Sequence, residues 1–253
     1  MSKIHFSTKG SGKPVLFLHG FLESSSMWNY LDFTDKALQC IYVDIPGHGE
    51  SDIPNFVETE ITINSFAKSI IHKLSIEGIE KFDIVGHSMG GYVALAIAKQ
   101  VDFKPKVILL NSNFWDDTLE KKKNRDRVIS IISTNKDLFI QEAIPGLFIK
   151  PNENKEAINQ LIHQAKKLTI EGITIASKAM RDRPDLTEYA YSISHELVCI
   201  QGEKDSIISE RDMMIKCNNK IPYITIPNAG HMAHIEASKI VQKTISDLLL
   251  DLV

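Results

Sequence analysis

Five short runs in this chain are apolar but for Asp83, and each stops at a polar residue or glycine. Val15 to Leu18 gives way to His19-Gly20, Cys40 to Val43 to Asp44, and Phe82 to Val85 to Gly86. Val107 to Leu110 likewise ends at Asn111, and Leu197 to Ile200 at Gln201-Gly202. Runs without polar alternation suit strands covered by helices on both faces, as in parallel sheets. Helical periodicity lies between them. Ile63, Phe66, Ala67, Ile70, Ile71 and Leu74 form one stripe behind a Thr62 cap, and Val241, Ile245, Leu248 and Leu252 form another. Strand and helix in alternation predict an α/β fold with a mostly parallel, doubly wound sheet and right-handed crossovers.

The alternation breaks between residues 113 and 187, where helical patterns continue without a convincing strand. Val128, Ile131 and Ile132 form one pattern, Ile158, Leu161, Ile162, Ala165 and Leu168 a second, and Ile173, Ala176 and Met180 a third. Pro145, Pro151 and Pro184 punctuate them, as proline does at helix ends. A core of residues 1–112 and 188–253 with a helical insertion over 113–187 follows. The insertion holds 13 Lys+Arg against 11 Asp+Glu, so the formal charge of -3 combines a weakly basic insert with an acidic core.

That charge gives no strongly basic face of the kind nucleic-acid binders need. No run reaches the roughly 18 apolar residues of a membrane span, and no apolar leader precedes the first strand. Cys40, Cys199 and Cys217 are odd in number and widely spaced, which fits buried hydrophobes in a reducing compartment. A cytoplasmic protein, monomeric or a homodimer, without metal or other cofactor, is the expectation.

The chemistry concentrates in Gly86-His87-Ser88-Met89-Gly90-Gly91, between the strand at 82–85 and a helical run from Tyr92 to Lys99. A serine hydroxyl is a weak nucleophile unless it is exposed, with a base beside it and donors ready for the oxyanion. A sharp strand-to-helix turn presents it that way, and the flanking glycines make room for the turn. The helix N-terminus beneath Ser88 favours developing negative charge.

With this element in place the chain resembles the α/β-hydrolase superfamily over nearly its whole length. His19-Gly20-Phe21 resembles the oxyanion loop, and Asp44-Ile45-Pro46-Gly47-His48-Gly49-Glu50-Ser51 the D-x-P-G-x-G-x-S turn. Gly202-Glu203-Lys204-Asp205 and Asn228-Ala229-Gly230-His231 resemble the acid and histidine loops. The resemblance implies Ser88 as nucleophile, Asp205 as acid and His231 as base, in the family order. It also implies oxyanion donors from the backbone N–H groups of Phe21 and Met89, and a helical lid between sheet strands six and seven. Asp116 and Asp117 are rival acids, and His234 is the rival base. His19 and His87 are expected to organise loops by hydrogen bonding.

Trp28, Phe114 and Trp115 are expected near the pocket edge, where core packing is the competing role. Ser24-Ser25-Ser26 reads as a helix-capping turn. Lys121 to Arg127 holds five basic residues in seven, which fits a solvated helix face or, alternatively, recognition of an anionic substrate or acidic carrier. Arg181 or Arg183 is a candidate to pair with a substrate carboxylate. The implied function is a serine hydrolase acting on a small-molecule carboxylic ester or lactone. Thioesterase, amidase, carbon–carbon hydrolase and enol-lactonase activities share these motifs. So does the menaquinone-pathway synthase of this fold, an eliminating enzyme with a similar HGF-L-x-S pattern, although it carries arginine where this chain has Tyr92. A slow-turnover ligand receptor with a retained triad is the reading from another class.

Overall fold

The computed structural model describes residues 3–34, 36–53 and 61–252. In chain order its strands are β1 (Phe6–Lys9), β2 (Lys13–Leu18), β3 (Leu38–Val43), β4 (Asp83–His87), β5 (Val107–Leu110), β6 (Leu197–Gly202) and β7 (Tyr223–Ile226). They form one sheet in the order β1-β3-β2-β4-β5-β6-β7. The β1–β3 pair is antiparallel and every other pair is parallel.

Register determines where the chemistry emerges. Leu18 lies opposite Val43 and Gly86, His87 opposite Leu110, Leu110 opposite Ile200, and Gly202 opposite Ile226. The parallel strands therefore end side by side, and the polar residues after each one gather along a single edge. This is the edge at which open α/β sheets place their ligands.

Side-chain alternation along the strands divides the core in two. Leu16, Leu18, Ile41 and Ile84 pack with helices α1 (Ile63–Ile76) and α2 (Met89–Ala98) on one face. Val15, Phe17, Cys40 and Val85 pack on the other with the last helix (Ser238–Leu249) and with Trp28. Helix α1 starts where its sequence predicts. Thr62 and Ser65 form a reciprocal capping box, and Phe66, Ala67 and Ile70 are fully buried. In the last helix Val241 and Ile245 are buried with Leu249, whereas Leu252 lies past the helix end and is exposed. Cys40, Cys199 and Cys217 are free thiols in the interior.

Between β5 and β6 stand α3 (Leu119–Ala143), α4 (Lys155–Lys166), α5 (Ile170–Arg181) and α6 (Thr187–Ser192), with no strand. Thr118 and Thr169 cap α3 and α5 through their side chains. The block has its own core, in which Ile132, Ile140, Leu161, Ala165 and Ile173 meet Leu22 and Met232 of the sheet domain. It runs to Ser192, five residues beyond the expected boundary. It also sits between the fifth and sixth strands, not the sixth and seventh, because no strand precedes the antiparallel edge strand among the described residues. No helix of the described residues is long and apolar enough to cross a membrane.

Trp28, which heads the largest fully buried side chains, meets Phe17 edge-on at 5.1 Å. Its indole nitrogen has no hydrogen-bond partner among the described residues. Trp28→Ala should therefore cost about 3–5 kcal/mol in urea unfolding, while Trp28→Phe should cost less than half as much. Equal losses would show that the indole's polar end matters to the core.

Candidate active site

Ser88 occupies the turn from β4 to α2 with φ 50 and ψ -117, a conformation that L residues rarely adopt. The turn closes because its neighbours lack side chains. A Cβ on Gly86 would lie 2.5 Å from the Gly90 carbonyl oxygen, and one on Gly90 would lie 2.3 Å from that of Leu18. Ser112 Oγ donates to the Ser88 carbonyl at 2.6 Å and braces the turn from β5.

The loops after β6 and β7 bring the other two triad candidates to this serine. His231 Nε2 is 3.0 Å from Ser88 Oγ, and His231 Nδ1 is 2.9 Å from Asp205 Oδ2. Asp205 accepts further hydrogen bonds from Asn111 Nδ2 at 2.8 Å, Gln201 Nε2 at 2.7 Å and the Ile207 N–H at 2.7 Å. Burial pushes this carboxyl upward, but His231 and the donated hydrogen bonds bring it down to about 2. Asp205 thus remains an acceptor, which keeps a proton on His231 Nδ1 and leaves Nε2 to accept from the serine.

The first loop is aimed by the hydrogen bonds of His19 and Asp44. His19 Nε2 accepts the Ile45 N–H at 2.9 Å, so the ring proton sits on Nδ1, which donates to the Gly20 carbonyl at 2.7 Å. Because the peptide is planar, holding that carbonyl fixes the direction of the Phe21 N–H. Burial lowers the His19 pKa, consistent with this neutral tautomer. The acidic turn residue Asp44 accepts the Ser25 N–H at 2.7 Å and the Glu50 N–H at 2.9 Å. Ser24 to Ser26 open a short 3-10 helix, Ser25–Tyr30, as a turn would, although Ser24 makes no side-chain cap. Met89 is the first residue of α2, so its N–H has no acceptor within the helix.

The histidine loop is also tied to the helical block. The His231 N–H donates to the Leu147 carbonyl at 3.1 Å. Glu236 accepts the Gly230 N–H at 2.8 Å with one oxygen and the Ile149 N–H at 2.8 Å with the other.

Ser88 and His231 open into a cavity of about 210 Å³. Phe21, Leu22, Tyr92, Val128, Phe139, Ile144, Met180 and Met232 give it an apolar wall, and Arg125 of α3 also lines it. Arg125 Nε donates to Asp117 at 2.5 Å, and Arg183 Nη1 lies 2.8 Å from the other Asp117 oxygen. The Arg183 guanidinium also stacks 4.0 Å over the Tyr92 ring. Arg125 was legible in the sequence only as one of five clustered basic residues.

Several candidates lie elsewhere. Trp28 belongs to the core beneath the sheet and does not line the cavity. Phe114 and Trp115 line a separate small cleft with Arg183 and Leu186. Arg181 spans Asp126 of α3 and Asp182 at its own helix end at the surface, 2.5 and 2.7 Å away, so surface salt bridges, and not a pocket, hold it. Asp117 is engaged by the two arginines, and Asp116 by Lys122 at 3.7 Å. His234 is buried without a hydrogen-bond partner among the described residues, and burial drives its pKa down to about 3. Lys121 donates to the Ile207 carbonyl at 3.3 Å on the exposed face of α3. Among the described residues no three His, Cys, Asp or Glu side chains are grouped to hold a metal ion.

The parallel sheet, the strained serine turn and the aligned loops define a hydrolase class, and the comparisons agree. Residues 15–242 match the model of the alpha/beta hydrolase family. The chain belongs to that family. An esterase from Thermogutta terrifontis, solved with malate bound, superimposes with a TM-score of 0.89 and 27% identity, covering 99% of this chain and 94% of that one. The enol-lactonase of Burkholderia xenovorans LB400 shares the fold, with a TM-score of 0.87 at 19% identity over 98% of this chain and 97% of its own. A Haemophilus influenzae protein, named provisionally as a 2-succinyl-6-hydroxy-2,4-cyclohexadiene-1-carboxylate synthase, is 25% identical over 94% of this chain and 98% of its own.

Arg183 is almost fully buried and relies on Asp117 for its countercharge. Asp117→Ala should therefore destabilise the protein by about 3–5 kcal/mol in denaturant unfolding. A loss under about 1 kcal/mol would show that neither arginine depends on it.

Proposed function

We propose that this chain is a serine hydrolase that cleaves a small carboxylic ester or lactone through an acyl-enzyme. The observation that carries the reading is the unbroken chain from Ser88 Oγ through His231 to Asp205, at 3.0 and 2.9 Å. His231 takes the serine proton as the oxygen attacks the carbonyl, then gives it to the leaving alcohol. The same imidazole next activates the water that releases the acid. The Phe21 and Met89 N–H groups receive the oxyanion, each contributing on the order of 3 kcal/mol to the transition state. The helical insertion acts as the lid, and α3 supplies part of the cavity wall.

The cavity also favours one kind of ester. Arg183 already balances the charge of Asp117, so Arg125 leaves a net positive charge at a cavity whose wall is mostly apolar and whose other charged groups, Glu23 and His87, face each other. That fits a substrate carrying a carboxylate some distance from the scissile bond, and the Thermogutta esterase was solved with a dicarboxylate, malate, bound. The second reading, a lyase of the same fold, is favoured by the full-length match to the Haemophilus protein. Tyr92, beneath Arg183, stands where that branch of the fold is expected to carry arginine.

Aryl and alkyl esters of increasing acyl length, each neutral or ending in a carboxylate, separate these readings. The wild type should turn over many cycles, Ser88→Ala should lose at least about 10⁴-fold, and Asp205→Asn about 10³–10⁴-fold. No hydrolysis by the wild type, or full activity in Ser88→Ala, would overturn the esterase reading. Arg125→Gln should cost about 10–100-fold more in kcat/KM for the carboxylate-bearing esters than for the neutral ones. Equal losses on both series would remove the charge-recognition part alone.

A further inference from the structure

Beside Ser88 lies a second set of buried polar side chains that the acyl transfer does not use. His87 is 1% exposed, and each of its ring nitrogens faces an oxygen. Nδ1 is 3.0 Å from Glu23 Oε2, and Nε2 is 3.0 Å from the backbone carbonyl of His231. A carbonyl oxygen only accepts, so Nε2 carries a proton. Glu23 Oε2 also accepts the Gly20 N–H at 2.6 Å, which favours its ionised form, and opposite an ionised oxygen Nδ1 carries the second proton. The ring is an imidazolium and Glu23 is its carboxylate.

The surroundings agree with that assignment. Burial draws the His87 pKa down, but the Glu23 charge, the hydrogen bonds and Asp205 outweigh it, so it ends raised. Burial pushes Glu23 up, and His87 above all brings it down to about 2. The other titratable groups facing the pair are His19 of the first loop and His231 and His234 of the histidine loop. Burial lowers the pKa of His19 and of His234, so neither competes for the Glu23 charge. The contact is close enough to dictate the sequence at residue 20. A Cβ on Gly20 would lie 2.5 Å from Glu23 Oε2, 2.8 Å from His87 Nδ1 and 3.2 Å from the Ser88 Cβ.

We infer that Glu23 and His87 are positioning residues, a buried ion pair that ties the oxyanion loop, the serine turn and the histidine loop into one frame. Glu23 holds the Gly20 N–H next to the peptide that carries the Phe21 donor. His87 holds the His231 carbonyl, and with it the imidazole that must reach Ser88. Both contacts need two ring protons on His87. Once the ring is neutral, one of its nitrogens has a lone pair facing an oxygen, and either the Glu23 contact or the His231 contact is lost. The inference rests on the acyl-transfer reading of Ser88 and His231.

Two measurements test it. In nitrogen-15 NMR of the histidine-labelled wild type, His87 should show both ring nitrogens protonated at pH 8. Glu23→Gln, which keeps the shape and removes the charge, should return His87 to a neutral tautomer. The same variant should react with a fluorophosphonate at Ser88 about 10–100-fold more slowly, the loss expected when reacting groups shift by about an ångström. Its thermal unfolding should remain cooperative, and kcat should fall more than KM rises. A neutral His87 in the wild type, or labelling of Glu23→Gln at the wild-type rate, would overturn the inference while leaving the hydrolase reading intact. A wild type whose Ser88 does not label would overturn the hydrolase reading and this inference with it.

Discussion

The molecule is organised around one unfavourable backbone conformation. Ser88 at φ 50 sits outside the regions that side-chain-bearing residues favour, at a cost of about 1–3 kcal/mol. Strand β4 and helix α2, both wholly buried, hold it there from either side. The close approach of Gly90 to the end of β2 brings the first loop alongside the serine. The parallel register then places the Asp205 and His231 loops on the same edge. Each loop comes from a different strand, so the geometry of the Ser88, His231 and Asp205 contacts depends on the sheet and not on local sequence.

That edge combines two electrostatic strategies. Asp205 is buried but receives four kinds of partner, from His231, Asn111, Gln201 and the backbone of residues 207 and 208. Its charge is therefore satisfied without solvent. Asp117 is equally buried but satisfied by two arginines, which leaves an excess of positive charge on the cavity side. The two aspartates were sequence rivals for one role, and their partners separate them: one meets a ring nitrogen and amides, the other guanidinium groups.

Much of this was legible because the buried strands carry an unmistakable pattern. Val15–Leu18 and Val107–Leu110 are apolar on both faces and could be placed to within a residue or two. The edge strands could not. Phe6–Lys9 is largely exposed, and Tyr223–Ile226 is mostly half-buried, so neither has the continuous apolar run that marks an interior strand. The serine turn and the late Asp and His loops were legible because glycines and loop order are local signals. The cavity wall was not, because its residues come from helices whose approach depends on tertiary packing. Periodicity shows which face of α3 is apolar, yet Arg125 enters the cavity while Arg181, on α5, turns outward to Asp126 and Asp182. Trp28 shows the same limit: its position after the first loop suggested the pocket, but the 3-10 turn at Ser25–Tyr30 rotates it under the sheet.

The hydrogen bonds joining the histidine loop to residues 147 and 149 limit how the cavity can open. The His231 N–H is bonded to the Leu147 carbonyl, and Glu236 clamps Gly230 and Ile149 together. A swing of the whole helical block as one rigid body would pull the imidazole away from Ser88. Any opening that keeps the Ser88–His231 contact must leave residues 147 and 149 beside the histidine loop. The non-helical backbone at Asn135, in the middle of α3, divides that helix into a half bearing Arg125 and a half leading to the clamp. The half of α3 that lines the cavity with Arg125 is thus distinct from the half that leads to the bonds aligning His231.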